Sequence, residues 1–129
     1  VRHLLTTLIA VTVVTACGGG TQPYTWGDAS EEVARVYCEG VEACGFAVDV
    51  ELCVEHAAWH LCVPDGTCDD EVDADAAAEA IGECAAAVEQ GAEDFAAGTD
   101  QRICTVVFFG GLPSPECDAV WPLDPGAAP

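Results

Sequence analysis

Residues 30 to 62 read SEEVARVYCEGVEACGFAVDVELCVEHAAWHLC, and they decide the fold. Apolar residues recur there at helical spacing on both sides of a short break. Val33, Tyr37, Val41 and Cys44 share one face of a helix expected from about Ser30 to Cys44. Asp28 or Ser30 can cap it, and Glu31 and Glu32 suit the positive end of its dipole. Gly45 is well placed to end it. A second helix follows from about Asp49, its cap, to Cys62. Its apolar face is Val50, Cys53, Val54, Ala57 and Leu61, and Pro64, Asp65 and Gly66 supply the turn behind it.

A third helix is expected from about Asp73 to Gln90, with Ala77, Ile81, Cys84, Ala85 and Val88 on its face and Gly91 as the stop. It is dominated by alanine, which permits close packing but buries little area. Beyond Gly98 the pattern weakens. The run Cys104 to Phe109 is β-branched and aromatic and fits either a strand or a short buried helix. Gly110 to Pro115 is turn-rich. After Asp118 three prolines and little core material predict a frayed tail, residues 119–129, with Trp121 as its one docking candidate. The expected fold class is therefore mainly α: a small, disulfide-stapled domain of about three helices over residues 29–118, ending in an irregular segment.

The N-terminus carries an address. Arg2 is followed by an uncharged apolar run, Leu4 to Val14, ending in Thr15 and Ala16. This is the charged, apolar, small-residue order of a secretory signal, expected over residues 1–16. The run is about eleven residues, whereas a helix needs roughly twenty to span a bilayer. Val14-Thr15-Ala16-Cys17 resembles the lipobox of bacterial lipoproteins. That resemblance implies cleavage before Cys17 and a diacylglycerol on its sulfur, and several acyl chains anchor where one alone is marginal. Residues 17–28, beginning with Gly18-Gly19-Gly20, read as a flexible tether.

Nine cysteines are present, and subtracting Cys17 leaves an even eight: Cys38, Cys44, Cys53, Cys62, Cys68, Cys84, Cys104 and Cys117. Export puts them in an oxidising compartment, where small domains offset a limited core with disulfides. No C-x-x-C occurs, which argues against thioredoxin-like redox work, a zinc ribbon and c-type haem attachment. Helix phase favours a Cys44–Cys53 bridge across the first hairpin. Cys38 and Cys62 lie on flanks that either join each other or face the third helix, and a Cys104–Cys117 bridge would close the last loop.

The order of Cys38, Cys44, Cys53, Cys62, Cys84 and Cys117, over roughly residues 30 to 118, resembles the small alanine-rich, cysteine-rich lipoproteins abundant in myxobacteria. The resemblance implies an envelope lipoprotein, at the outer membrane facing the periplasm or at the cell surface. Those families carry no assigned activity, so it supplies no site.

The formal charge is −20, with 23 acidic residues and only Arg2, Arg35 and Arg102 against them; it becomes −21 once Arg2 leaves with the signal. Nucleic acid binding requires basic surface to displace counterions, and this chain has none. An anionic headgroup surface repels it too, which leaves membrane attachment to the lipid. A charge-steered partner would be a basic envelope protein, although the same charge also serves plain solubility.

Candidates for chemistry are few. His56 and His60 stand four apart on the second helix and could share a metal, but H-E-x-x-H is absent and a metal site needs a third ligand. The acidic run containing Asp69 and Asp73 fails the EF-hand template, with Ala74 and Ala80 where glycine and glutamate belong. Serine is limited to Ser30 and Ser114, without a nucleophile motif, and no cofactor motif is present. The expected role is a non-enzymatic binding or structural module on a membrane. A divalent-metal binder using His56, His60, Asp69 or Asp73 is the alternative. The protein from native membranes should have an intact mass fitting a chain that starts at Cys17 plus acyl groups, with eight thiols alkylated only after reduction. An unlipidated mass would overturn the lipobox reading.

Overall fold

A computed structural model of the chain describes residues 22–113 and 115–127. The expected signal peptide, the expected lipobox with Cys17 and the expected tether glycines lie outside the described residues. Four α-helices run in order: α1 (Trp26–Ala43), α2 (Val50–Cys62), α3 (Ala74–Ala97) and α4 (Arg102–Phe108). A 3-10 turn, Trp121–Leu123, follows. The class is mainly α, with no strand among the described residues beyond an isolated bridge between Thr25 and Glu71. No described helix is long and apolar enough to cross a membrane.

Helix α1 begins earlier than its pattern suggests. Its cap is Thr25, not Asp28 or Ser30. The Asp28 N–H donates to the Thr25 hydroxyl at 3.3 Å, and the Thr25 N–H donates to the Asp28 carboxylate at 2.9 Å. This reciprocal capping box satisfies two donors at the helix start. It also brings Trp26 into the core, fully buried, with its indole N–H donating to the Leu61 carbonyl at 3.2 Å. Trp26 was expected in the tether, and so the folded domain starts ahead of residue 29. Helix α2 keeps its expected cap, with Asp49 accepting from the Leu52 N–H at 3.1 Å.

Helix α3 is capped by Asp73, which accepts from the Ala76 N–H at 2.9 Å, and runs through Gly91 to Ala97. Gly91 does not stop the helix; it is the place where α4 crosses. A Cβ there would lie 2.5 Å from the Cβ of Ile103. The stop is Gly98, whose φ of 72° is the left-handed conformation that glycine adopts without steric cost. The ambiguous run at Cys104 is helix α4, burying Ile103, Cys104 and Val107 at helical spacing. The expected tail is partly core: Val120 is buried and Leu123 packs on the same cluster, while Trp121 stays largely outside.

The main core sets Trp26, Ala29 and Val33 of α1 against Ala77, Ala80 and Ile81 of α3, closed by Cys84, Cys117 and Val120. Apart from Trp26 these residues are all small or β-branched, which is thin material. The eight cysteines supply the rest as four bridges: Cys38–Cys53, Cys44–Cys104, Cys62–Cys68 and Cys84–Cys117. None matches the expected pairs. In an antiparallel hairpin, a residue pairs with one about as far before the turn as it lies beyond it. Cys53 therefore meets Cys38, while Cys44, at the end of α1, faces the connection and is free to take Cys104. Cys53 and Cys62 stand nine residues apart on α2, about 14 Å along the axis, so Cys62 cannot reach Cys38 and closes a local loop to Cys68. Cys117 turns to Cys84 and ties the C-terminal segment onto α3.

Cross-link strength follows loop length in the chain-entropy account. Removing Cys44–Cys104, which closes 60 residues, should cost about 4 kcal/mol, and removing Cys62–Cys68, which closes 6, about 2 kcal/mol. Urea unfolding of the two double alanine variants checks this; the reverse order would place the stabilisation elsewhere than in the unfolded chain.

Candidate functional site

Helix α2 buries Val54 and half-buries Val50, Ala57 and Leu61 against its neighbours. At 100° per residue the opposite face carries Leu52, His56, Trp59 and Val63. Leu52 is 65% exposed, Trp59 51% and Val63 44%. Large apolar side chains are scarce here, and these three stand in solvent. They border an open groove of about 730 Å³ between α1 and α2, which Ala58 and Cys62 also line.

The rim of the groove is acidic: Glu31 from α1, Asp49 from the cap of α2, Glu51 and Glu55 from α2 itself. One cation answers them. Arg35 donates to Glu51 at 2.9 Å and lies 3.8 Å from Glu31 and 3.9 Å from Glu39. Its hydrogen bond, and then its charge, holds the Glu51 carboxyl below the usual carboxylate range. Arg102 is likewise committed, to Glu116, whose carboxyl its hydrogen bond, and then a backbone hydrogen bond, hold below the usual range. Both arginines of the described residues are thus engaged by carboxylates.

A second depression, about 710 Å³, begins where the first ends and shares Glu31 and Arg35. Tyr24, Asp28, Glu32 and Asp69 complete its wall. The Tyr24 hydroxyl donates to Glu32 at 3.0 Å. Burial first, then this carboxylate, raises the tyrosine's pKa well above its ordinary value. The two depressions form one continuous acidic face along α1 and α2.

The metal candidates do not converge. The His56 and His60 rings meet edge to face at 4.5 Å, both exposed. Asp73 is engaged as the cap of α3, and Asp69 lies in the wall beside Tyr24. Among the described residues no group of three or more His, Cys, Asp or Glu side chains is placed to hold a metal ion. An aromatic cluster at the other end of the hairpin joins Phe46 to Phe108 at 4.7 Å and Phe108 to Phe109 at 5.4 Å. It opens on a depression of about 200 Å³, and none of the five residues lining that is charged.

Comparison with protein-family models, with curated proteins and with solved structures gives no match to this chain. The site therefore rests on its own geometry. Leu52, Val63, Arg35 and Glu51 were not singled out in the sequence. Leu52, His56, Trp59 and Val63 nevertheless repeat at intervals of four, three and four, a signal available once the buried face of α2 is subtracted.

Replacing Arg35 by methionine should let Glu51 titrate higher, moving toward an ordinary glutamate, as followed by carboxyl NMR. Because folding depresses this pKa, the small stability contribution of the pair is full above the unfolded glutamate's range. It is lost as pH falls through the folded value. An unmoved Glu51 would show that Arg35 does not set its ionisation.

Proposed function

We propose that this chain is a lipid-anchored binding module of the cell envelope that docks a basic partner on its α1–α2 face. The observation that carries the reading is the combination on that face: three exposed apolar side chains rimmed by Glu31, Asp49, Glu51 and Glu55, with one guanidinium already engaged. An acidic rim accelerates encounter with a basic surface and sets its orientation, while the apolar centre supplies affinity that salt does not screen. Membrane attachment is supported by the lipobox pattern ending at Cys17 and by eight paired cysteines, an arrangement suited to an oxidising compartment. The divalent-metal reading finds two adjacent donors, His56 and His60, and no third beside them among the described residues.

In intact cells, a photoreactive aromatic residue at Trp59 should trap a basic envelope protein, and one at Ala86, exposed on α3, should not. Trapping at Trp59 should fall in an E51Q/E55Q background. Equal trapping from both positions, or trapping indifferent to the two glutamates, would refute the assigned face.

A further inference from the structure

The groove constrains the shape of its occupant as well as its charge. Leu52, His56, Trp59 and Val63 are spaced at four, three and four residues, the d-a-d-a spacing of a heptad seam. Such a seam is what one helix presents to another. From Leu52 to the C-cap Val63 it extends about 17 Å, enough for about three turns of a partner helix. Glu51 and Glu55 lie beside the seam on its groove side, Asp49 caps α2 at the seam's start, and Glu31 lines the groove from α1.

We infer that the docking element of the basic partner is an amphipathic helix, apolar along one stripe and lysine- or arginine-rich beside it, laid against the outer face of α2. This rests on the α1–α2 face being the docking surface proposed above.

Other observations support a helix from a different, basic protein. The described residues hold no sheet edge to which an extended peptide could add as a strand; the single bridge, Thr25 to Glu71, is already paired. A second copy of this chain would bring the same acidic rim and the same excess of negative charge, so self-association through this face is opposed. The face is also pre-ordered. The His60 ring stands at 90° to Trp59 at 4.9 Å and at 81° to His56 at 4.5 Å, so three rings form one connected surface. Holding Trp59 in place before binding lowers the entropy lost on contact. The Cys38–Cys53 bridge ties together α1 and α2, the two helices that form the groove.

The test uses the full chain with its disulfides intact and three synthetic peptides, read by fluorescence anisotropy at low and high salt. The first places leucines at heptad a and d positions with lysines beside them. The second has the same composition in scrambled order. The third replaces the lysines of the first by glutamates. The patterned basic peptide should bind at least tenfold more tightly than its scrambled isomer and gain helicity on binding. L52A and W59A, both at exposed positions, should each remove most of that tenfold difference and leave scrambled-peptide binding unchanged. E51Q/E55Q should weaken both basic peptides and reduce their salt dependence. If both basic peptides bind alike and L52A and W59A change nothing, the helix is refuted while a basic partner stands. If neither basic peptide binds at low salt, the inference and the reading beneath it both fail. Equal binding of the glutamate peptide would refute the basic flanks.

Discussion

Everything in this molecule depends on four disulfides holding together a chain that has little else to do so. The buried residues are mostly alanine, valine and cysteine, with Trp26 the one large side chain at the centre. Alanine-rich helices approach closely, and Gly91 under Ile103 shows how closely, but each contact removes little apolar area from water. An acidic excess spread over α1, α2, α3 and the loops opposes compaction. The bridges act on the unfolded chain instead, by limiting how far it can expand. They are distributed accordingly: one across the α1–α2 hairpin, one from the end of α1 to α4, one from α3 to the C-terminal segment, and one closing the loop behind α2.

That division of labour explains how α2 can leave large apolar residues in solvent. A helix held only by packing must commit its bulkiest side chains to the core. Helix α2 is bridged to α1 at Cys38–Cys53 and tied at its far end by Cys62–Cys68, and so Val54, with the half-buried Val50, Ala57 and Leu61, suffices on the inner face. Leu52, Trp59 and Val63 are then available to an outside partner. The acidic residues have the same double character. Asp49 and Asp73 cap helices and Asp28 completes the capping box of Thr25, whereas Glu31, Glu51 and Glu55 rim the groove without capping anything.

The helices were legible in the sequence because their signals are local: the Asp49 cap, the apolar periodicity of α1 and α2, and the alanine run of α3 from about Asp73. The boundaries that shifted did so for tertiary reasons. Trp26 looked like linker because its partners, the Leu61 carbonyl and the α3 alanines, lie far along the chain. Gly91 looked like a stop because nothing near it in sequence announces Ile103. The disulfide map was the least legible feature. Helix phase says which way a cysteine points, but pairing depends on axial register and on what crosses above, so Cys44 and Cys104 could not be matched before α4 was placed. The seam on α2 was legible in principle and overlooked, because attention to the buried face makes the residues opposite look like ordinary surface.

The early start of the fold at Thr25 also changes the geometry of the proposed anchor. With Tyr24 and Trp26 packed into the domain, only the six residues after Cys17, through Pro23, are left to act as tether, a reach of at most about 20 Å. The start of α1 is an acidic end, with Asp28, Glu31, Glu32 and Asp69 around one depression. Anionic headgroups would repel that end within a Debye length of roughly 8 Å at physiological salt.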